Sequence, residues 1–255
     1  SLTNQLSYYL PIIFLLPFFG PTYAGYYFFS VTIMSIPSTF VSQSINRVYY
    51  SLAAKKNEKN FKKLFTKISE NIIKLVFPSF FVVLFSLQEL IPLIFGENWR
   101  QAGTFCSFMC VWFYFKIIYN SLDNTVNLKK KIKEDFFLKL FFLTIQSTAL
   151  FFGIYLGDFY LTVVLIILAS TISILINVTW IHYIVKIRLR KVIKIIFFNI
   201  FMSFLFSIPI LLVYFFKIEG ILKFFLYSVS YFSVIFFVYM YNFKKNNLFL
   251  KTYLK

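Results

Sequence analysis

Negative charge is scarce in this chain: Asp and Glu number 9, against 26 Lys and Arg in 255 residues. Charged residues of both signs make up 14%, where ordinary soluble domains have about 25%. The hydrophobic share is 60%. A soluble chain of this length must cover its surface with polar side chains, and too few are present, so a water-bathed globule is excluded. One histidine and two cysteines leave little to bind a metal. Cys106 and Cys110 stand one helical turn apart inside an apolar run and read as small buried side chains rather than a disulfide or a metal pair. His182 has no carboxylate near it in sequence to orient it, so it reads as an interfacial side chain and not as a catalyst. There is no Gly-rich phosphate loop, no His-Glu-x-x-His spacing and no nucleophile elbow. The chain is not read as an enzyme, and neither a cofactor nor a metal is expected.

What the chain has instead is apolar runs near 20 residues long, the length a 30 Å hydrocarbon layer demands of a helix. Eight spans can be read, at about 2–19, 23–53, 70–95, 101–127, 136–156, 159–185, 192–216 and 221–242. The expected fold is therefore all-α, a polytopic membrane helical bundle of about eight transmembrane helices. Pro11, Pro37, Pro78 and Pro209 fall inside spans, where helix bundles tolerate them as kinks. The connectors alternate. Gly20-Pro21-Thr22, Gly96 to Arg100, Gly157-Asp158 and Lys217 to Gly220 are short and nearly uncharged, whereas 55–67, 129–139, 186–194 and the tail 244–255 are rich in Lys and Arg.

A net charge of +17 raises nucleic acid as a partner, but lysines in bursts between apolar runs belong to a cytoplasmic membrane face. The expected partner is the lipid bilayer and not nucleic acid, with both ends of the chain in the cytoplasm. Phe61, Leu64, Phe65 and Ile68 recur at helical spacing in the first basic connector, which predicts an amphipathic helix lying on the inner leaflet. The sequence opens at Ser1 and reads as a span within a few residues, from which a preceding N-terminal segment is expected.

In hydrocarbon the informative residues are polar ones, because a Lys, Arg or Asp at mid-span costs on the order of 2.5–3.5 kcal/mol. Lys116, Asn120, Asp123 and Asn127 are spaced by 4, 3 and 4 residues, which keeps them on one helix face. They predict a polar stripe facing a cavity, with Lys116 attracting an anionic substrate and Asp123 as a candidate for cation or proton coupling. Gln43, Asn46, Arg47 and Tyr50 make a second stripe, where the planar fork of Arg47 suits phosphate oxygens. Asn4 and Gln5 are further polar positions in the first span. Lys74 and Glu89 read as interfacial.

The first half of the chain resembles a known family. Asn4, Leu10-Pro11, Phe19-Gly20, Ala24-Gly25-Tyr26-Tyr27 and Ile36-Pro37 fall at positions similar to the seventh and eighth helices of the polysaccharide flippase (Wzx-like) family of O-antigen and capsule assembly. That family belongs to the MATE-related multidrug/oligosaccharidyl-lipid/polysaccharide exporter superfamily. The stretch Ile94-Phe95-Gly96-Glu97-Asn98-Trp99-Arg100-Gln101-Ala102-Gly103 is the most specific mark. The resemblance covers residues 1–127 and is carried beyond by hydropathy alone.

The resemblance implies that residues 1–185 form a six-helix transporter lobe, the second of two. Residues 186–255 would then be two additional transmembrane helices and a basic cytoplasmic tail. It implies translocation of an undecaprenyl-diphosphate-linked oligosaccharide across the bacterial inner membrane, by rocking of the lobes about a cavity. Arg47, Lys116, Asn120, Gln43, Asn46 and Asn4 would line that cavity. The partners would be the lipid-linked substrate, the missing N-terminal lobe and other polysaccharide-assembly proteins. Two alternatives stand beside it. A MATE-type multidrug or cation antiporter would use carboxylates for coupling. A membrane-embedded polymerase or glycosyltransferase of the same pathway would need larger loops than these.

Overall fold

Every segment long enough to form an element does so as a helix, as hydrocarbon requires: the backbone must satisfy its own hydrogen bonds where water is absent. In this computed structural model residues 10–240 are described in full, and 2–9 and 241–253 by backbone alone. The helices are α1 (Leu2–Phe19), α2 (Pro21–Ala53), α3 (Glu58–Val76), α4 (Phe80–Phe95), α5 (Arg100–Leu122), α6 (Asn124–Leu128), α7 (Ile132–Leu156), α8 (Phe159–Ile184), α9 (Leu189–Phe216) and α10 (Ile221–Tyr253). The 3-10 turns Phe77–Ser79 and Glu97–Trp99 link α3 to α4 and α4 to α5.

Among the described residues seven helical segments are long and apolar enough to cross a membrane, and Leu10–Phe19 of α1 is a shorter apolar one. Their flanks carry exposed Phe40, Phe197, Phe215 and Tyr155, an apolar surface that only lipid would solvate well. The chain is an all-α polytopic membrane bundle.

The helices fall into two compact units. The first comprises residues 1–69 and 87–189, the second 70–86 and 190–255. In the first, α5 is the central helix, with 72% of its membrane window buried. α2 lies along it in parallel. Ser30 Oγ donates to the Ala102 carbonyl at 3.0 Å, Asn46 Nδ2 to the Asn120 carbonyl at 2.8 Å, and the Tyr49 and Thr125 hydroxyls meet at 2.6 Å. The sequence separations of these pairs stay near-constant at 72, 74 and 76, as two helices running the same way require.

α7 and α8 are antiparallel, with Gln146 donating to Ser170 at 2.9 Å. Gly153 lets them touch: a Cβ there would stand 2.6 Å from Thr162 Cα. The turns follow local rules. Gly20 at φ +85° and Gly96 at φ +96° reverse the chain, and Pro21 at the first position of α2 lacks an N–H that would have no partner anyway.

At one end of this unit Phe159 meets Phe19 (5.5 Å), Tyr23 (4.7 Å) and Phe105 (5.6 Å). The short connectors at Gly20, Gly96 and Gly157 are thereby gathered at that end. At the other end Glu58 pairs with Lys129 at 3.0 Å, and Phe65 packs edge-on to His182 at 5.1 Å, which gathers the basic connectors.

Two readings from sequence are corrected here. Phe61, Leu64, Phe65 and Ile68 are not laid on lipid: all four are buried, with Phe61 and Phe65 against Tyr49. Nor is His182 interfacial. It is fully buried, its Nδ1 bonded to the Val178 carbonyl at 2.7 Å and its Nε2 to Ser69 Oγ at 2.8 Å. A carbonyl only accepts, so Nδ1 carries the proton and Ser69 donates to Nε2.

The second unit packs Val82, Ile210, Val213, Tyr227 and Val234 as its core. Pro78 shapes its first segment. The 3-10 turn gives the Phe77 carbonyl to Phe80 N, and the Phe81 N–H donates instead to Ser203 Oγ at 2.7 Å. A neighbouring helix thus satisfies the group released at the kink.

Candidate functional site

The polar stripes of α2 and α5 meet because the two helices are parallel and in register. Near their C-terminal ends they enclose a recess of about 270 Å³, lined by Thr39, Ser42, Gln43, Asn46 and Arg47 from α2 and by Asn120 and Asp123 from the end of α5. Thr39, Gln43 and Arg47 are exposed and form its rim; Asn46, Asn120 and Asp123 are half-buried and form its floor.

The floor is a hydrogen-bonded net. Asn46 Nδ2 donates to Asp123 Oδ1 at 2.6 Å and to the Asn120 carbonyl, while Asn46 Oδ1 accepts from Asn124 Nδ2. Asn127 extends the net, donating to Asn124 Oδ1 at 3.1 Å. Asp123 sits at the break between α5 and α6 and occupies the N-cap position of α6, yet its side chain makes no capping bond there. It reaches across to α2 instead. Arg47 and Asp123 face the same recess without forming an ion pair with each other among the described residues.

Gln43, Asn46, Arg47, Asn120 and Asp123 are therefore brought together. Lys116, two turns back on α5, stands apart from the lining, with its ammonium 5.4 Å from the Trp112 ring centroid and 4.9 Å from that of Phe113. Aromatic faces are a favourable place for a cation inside hydrocarbon. Tyr50 is exposed on α2. The side chains of Asn4 and Gln5 lie outside the described residues.

Sequence reasoning missed Asn124 and a second cluster beside the recess, where Tyr119 stands one helical turn before Asp123. There Tyr119 donates to buried Asp135 at 2.9 Å, and Lys139 closes an ion pair with the same carboxylate. The spacing of Asp135 and Lys139, i and i+4 on α7, was a usable signal for the pair; no spacing connects either to Tyr119. Cys106 and Cys110 are free and buried, and among the described residues no group of three or more His, Cys, Asp or Glu side chains could hold a metal.

At the opposite end, the stretch from Gly96 to Arg100 packs on the start of α2. Trp99 stacks on Phe29 at 4.2 Å and meets Tyr26 at 6.0 Å, while Arg100 grips Glu97 through two bonds of 2.8 and 2.9 Å. Ala102 and Gly103 are buried, and a Cβ on Gly103 would come within 3.0 Å of the Leu87 carbonyl. The missing side chain at Gly103 lets α4 and α5 approach closely there.

Residues 1–104 match the model of a family described as polysaccharide biosynthesis protein. No curated protein and no solved structure matches the chain. The matched stretch holds the segment from Ile94 to Gly103 and the α2 side of the recess, and it stops in α5 before Lys116, Asn120 and Asp123. The similarity to polysaccharide biosynthesis proteins belongs to these residues.

Proposed function

We propose that this protein is a transporter rather than an enzyme, and that it moves an undecaprenyl-diphosphate-linked oligosaccharide from the inner to the outer leaflet of a bacterial plasma membrane. The observation that carries this reading is the recess, in which an arginine, a carboxylate and two asparagines from two membrane helices converge. Polar and ionisable groups gathered on membrane helices mark substrate or ion pathways. The similarity of residues 1–104 to polysaccharide biosynthesis proteins supports a polysaccharide precursor as the cargo.

On this reading residues 1–185 are one lobe of a two-lobed transporter, and 186–255 are two added helices with a basic tail. The recess wall faces the path, Arg47 and Lys116 draw the anionic diphosphate, and Asp123 couples transport to a cation or proton. The basic connectors and both ends of the chain face the cytoplasm.

In cells whose surface polysaccharide depends on the gene, Arg47→Ala and Lys116→Ala are each expected to reduce that polysaccharide several-fold at unchanged protein level. Wild-type amounts in Arg47→Ala would remove the recess from the path, and in Lys116→Ala would remove that lysine. The carboxylate at Asp123 favours one second reading, a cation-coupled multidrug antiporter. Loss of dye efflux in Asp123→Asn, with surface polysaccharide intact, would select it.

A further inference from the structure

Opposite charges that share a small recess ordinarily pair. Here Arg47 and Asp123 line the same space, and no ion pair forms between them among the described residues. The floor net explains why: Asn46 holds Asp123 Oδ1 at 2.6 Å and is itself held by the Asn120 carbonyl and by Asn124, so the carboxylate is fixed toward α2 while Arg47 stays exposed at the rim. A recess built this way complements a ligand with hydroxyl donors at one end and an anionic group at the other.

A phosphate is a poor occupant of the floor, where it would meet the like charge of Asp123 at short range; the opposite charge in the recess is Arg47, at the rim. Sugar hydroxyls suit it. An ionised carboxylate accepts at about four lone-pair sites, and the amides offer both donors and acceptors. The volume of about 270 Å³ lies below the ~300–1,000 Å³ typical of drug-sized ligands, enough for one sugar ring beside its phosphate and not for a whole oligosaccharide.

We infer that the recess is a glycosyl-phosphate subsite. The sugar joined to the phosphate donates its hydroxyls to Asp123 and the Asn46–Asn120 floor, and the phosphate lies on Arg47 at the rim. This assignment rests on the transport reading above but gives Asp123 sugar recognition in place of cation coupling: Asp123 reads the sugar, Arg47 holds the phosphate whatever sugar follows, and rim residues Thr39 and Gln43 contact the ring edge.

The test uses the protein in phosphatidylethanolamine/phosphatidylglycerol nanodiscs and two probes, farnesyl phosphate and farnesyl phosphoryl glucose, with binding read by native mass spectrometry. Wild type is expected to prefer the sugar-bearing probe by about tenfold, the effect of one charge-assisted hydrogen bond. Asp123→Asn should abolish that preference while still binding both probes, and Arg47→Gln should weaken both alike. Should Asp123→Asn not fold, the doubly substituted rim T39V/Q43A decides, because both residues are exposed and the preference should shrink several-fold. An undiminished preference in Asp123→Asn or in the rim variant, or no preference in wild type, would overturn the sugar assignment; binding of farnesyl phosphate through Arg47 would then leave the transport reading standing. No binding of either probe to wild type would overturn both.

Discussion

At the residue scale, lysine stands where glycine is usual. Lys130, Lys186 and Lys217 adopt left-handed conformations at φ 55°, 57° and 49° just past the ends of α6, α8 and α9. The first two close full Schellman motifs: Lys131 N donates to the Val126 carbonyl and Lys130 N to that of Asn127, and Ile187 N and Lys186 N likewise bond those of His182 and Tyr183. A side chain in this conformation costs about 1–2 kcal/mol, partly offset by a cation at a helix C-terminus, worth roughly 0.3–1 kcal/mol. The backbone term is the larger. Lys130→Gly is therefore expected to stabilise the protein by about 1 kcal/mol or less, seen as a higher thermal midpoint in detergent; a lowered midpoint would mean the charge matters more than the conformation. Carboxylates show the reverse economy. Glu58, Glu97, Glu134, Asp135 and Asp158 all stand at or before first turns of helices, where the N-terminal dipole favours negative charge. Asp123 holds such a position too, and its side chain turns away from it.

At the scale of elements, the sequence makes periodicity plain and leaves its target open. The stripe of Phe61, Leu64, Phe65 and Ile68 is legible from spacing alone, but lipid and protein select for the same apolar face, so only the packing on Tyr49 and His182 identifies the neighbour. The same holds for the recess. Gln43, Asn46 and Arg47, and Asn120 with Asp123, were readable as two polar stripes on spans that run the same way; that they face each other depends on α2 and α5 being neighbours, which no local pattern encodes. Asn124 follows Asn120 by four residues, a spacing that was a usable signal for it. A prediction belongs at this scale. Phe65→Ala should destabilise the protein by about 3–5 kcal/mol, the cost of a large buried aromatic, with a matching fall in the melting temperature of the purified protein. An unaltered melt accompanied by weaker association of the 58–69 segment with anionic vesicles would return that helix to the membrane surface.

For the whole molecule, the sidedness of its loops is the property from which all inward and outward assignments descend. Within the first unit the connectors at Gly20, Gly96 and Gly157 share one end, and Glu58 with Lys129 marks the other. Cysteines placed at Lys59 and at Lys130 should therefore react with an impermeant maleimide from the same side of sealed vesicles, and one placed at Asn98 from the opposite side. Labelling of Lys59→Cys and Lys130→Cys from different compartments would break the topology.

The bonds between α2 and α5 have a mechanical consequence. They are made at Ser30 near one end and at Asn46 and Tyr49 near the other, so about 28 Å of helix at 1.5 Å per residue is pinned at both extremities. Shear between the two would break every pin at once. A rearrangement that keeps these bonds must carry the two helices together as a single plank.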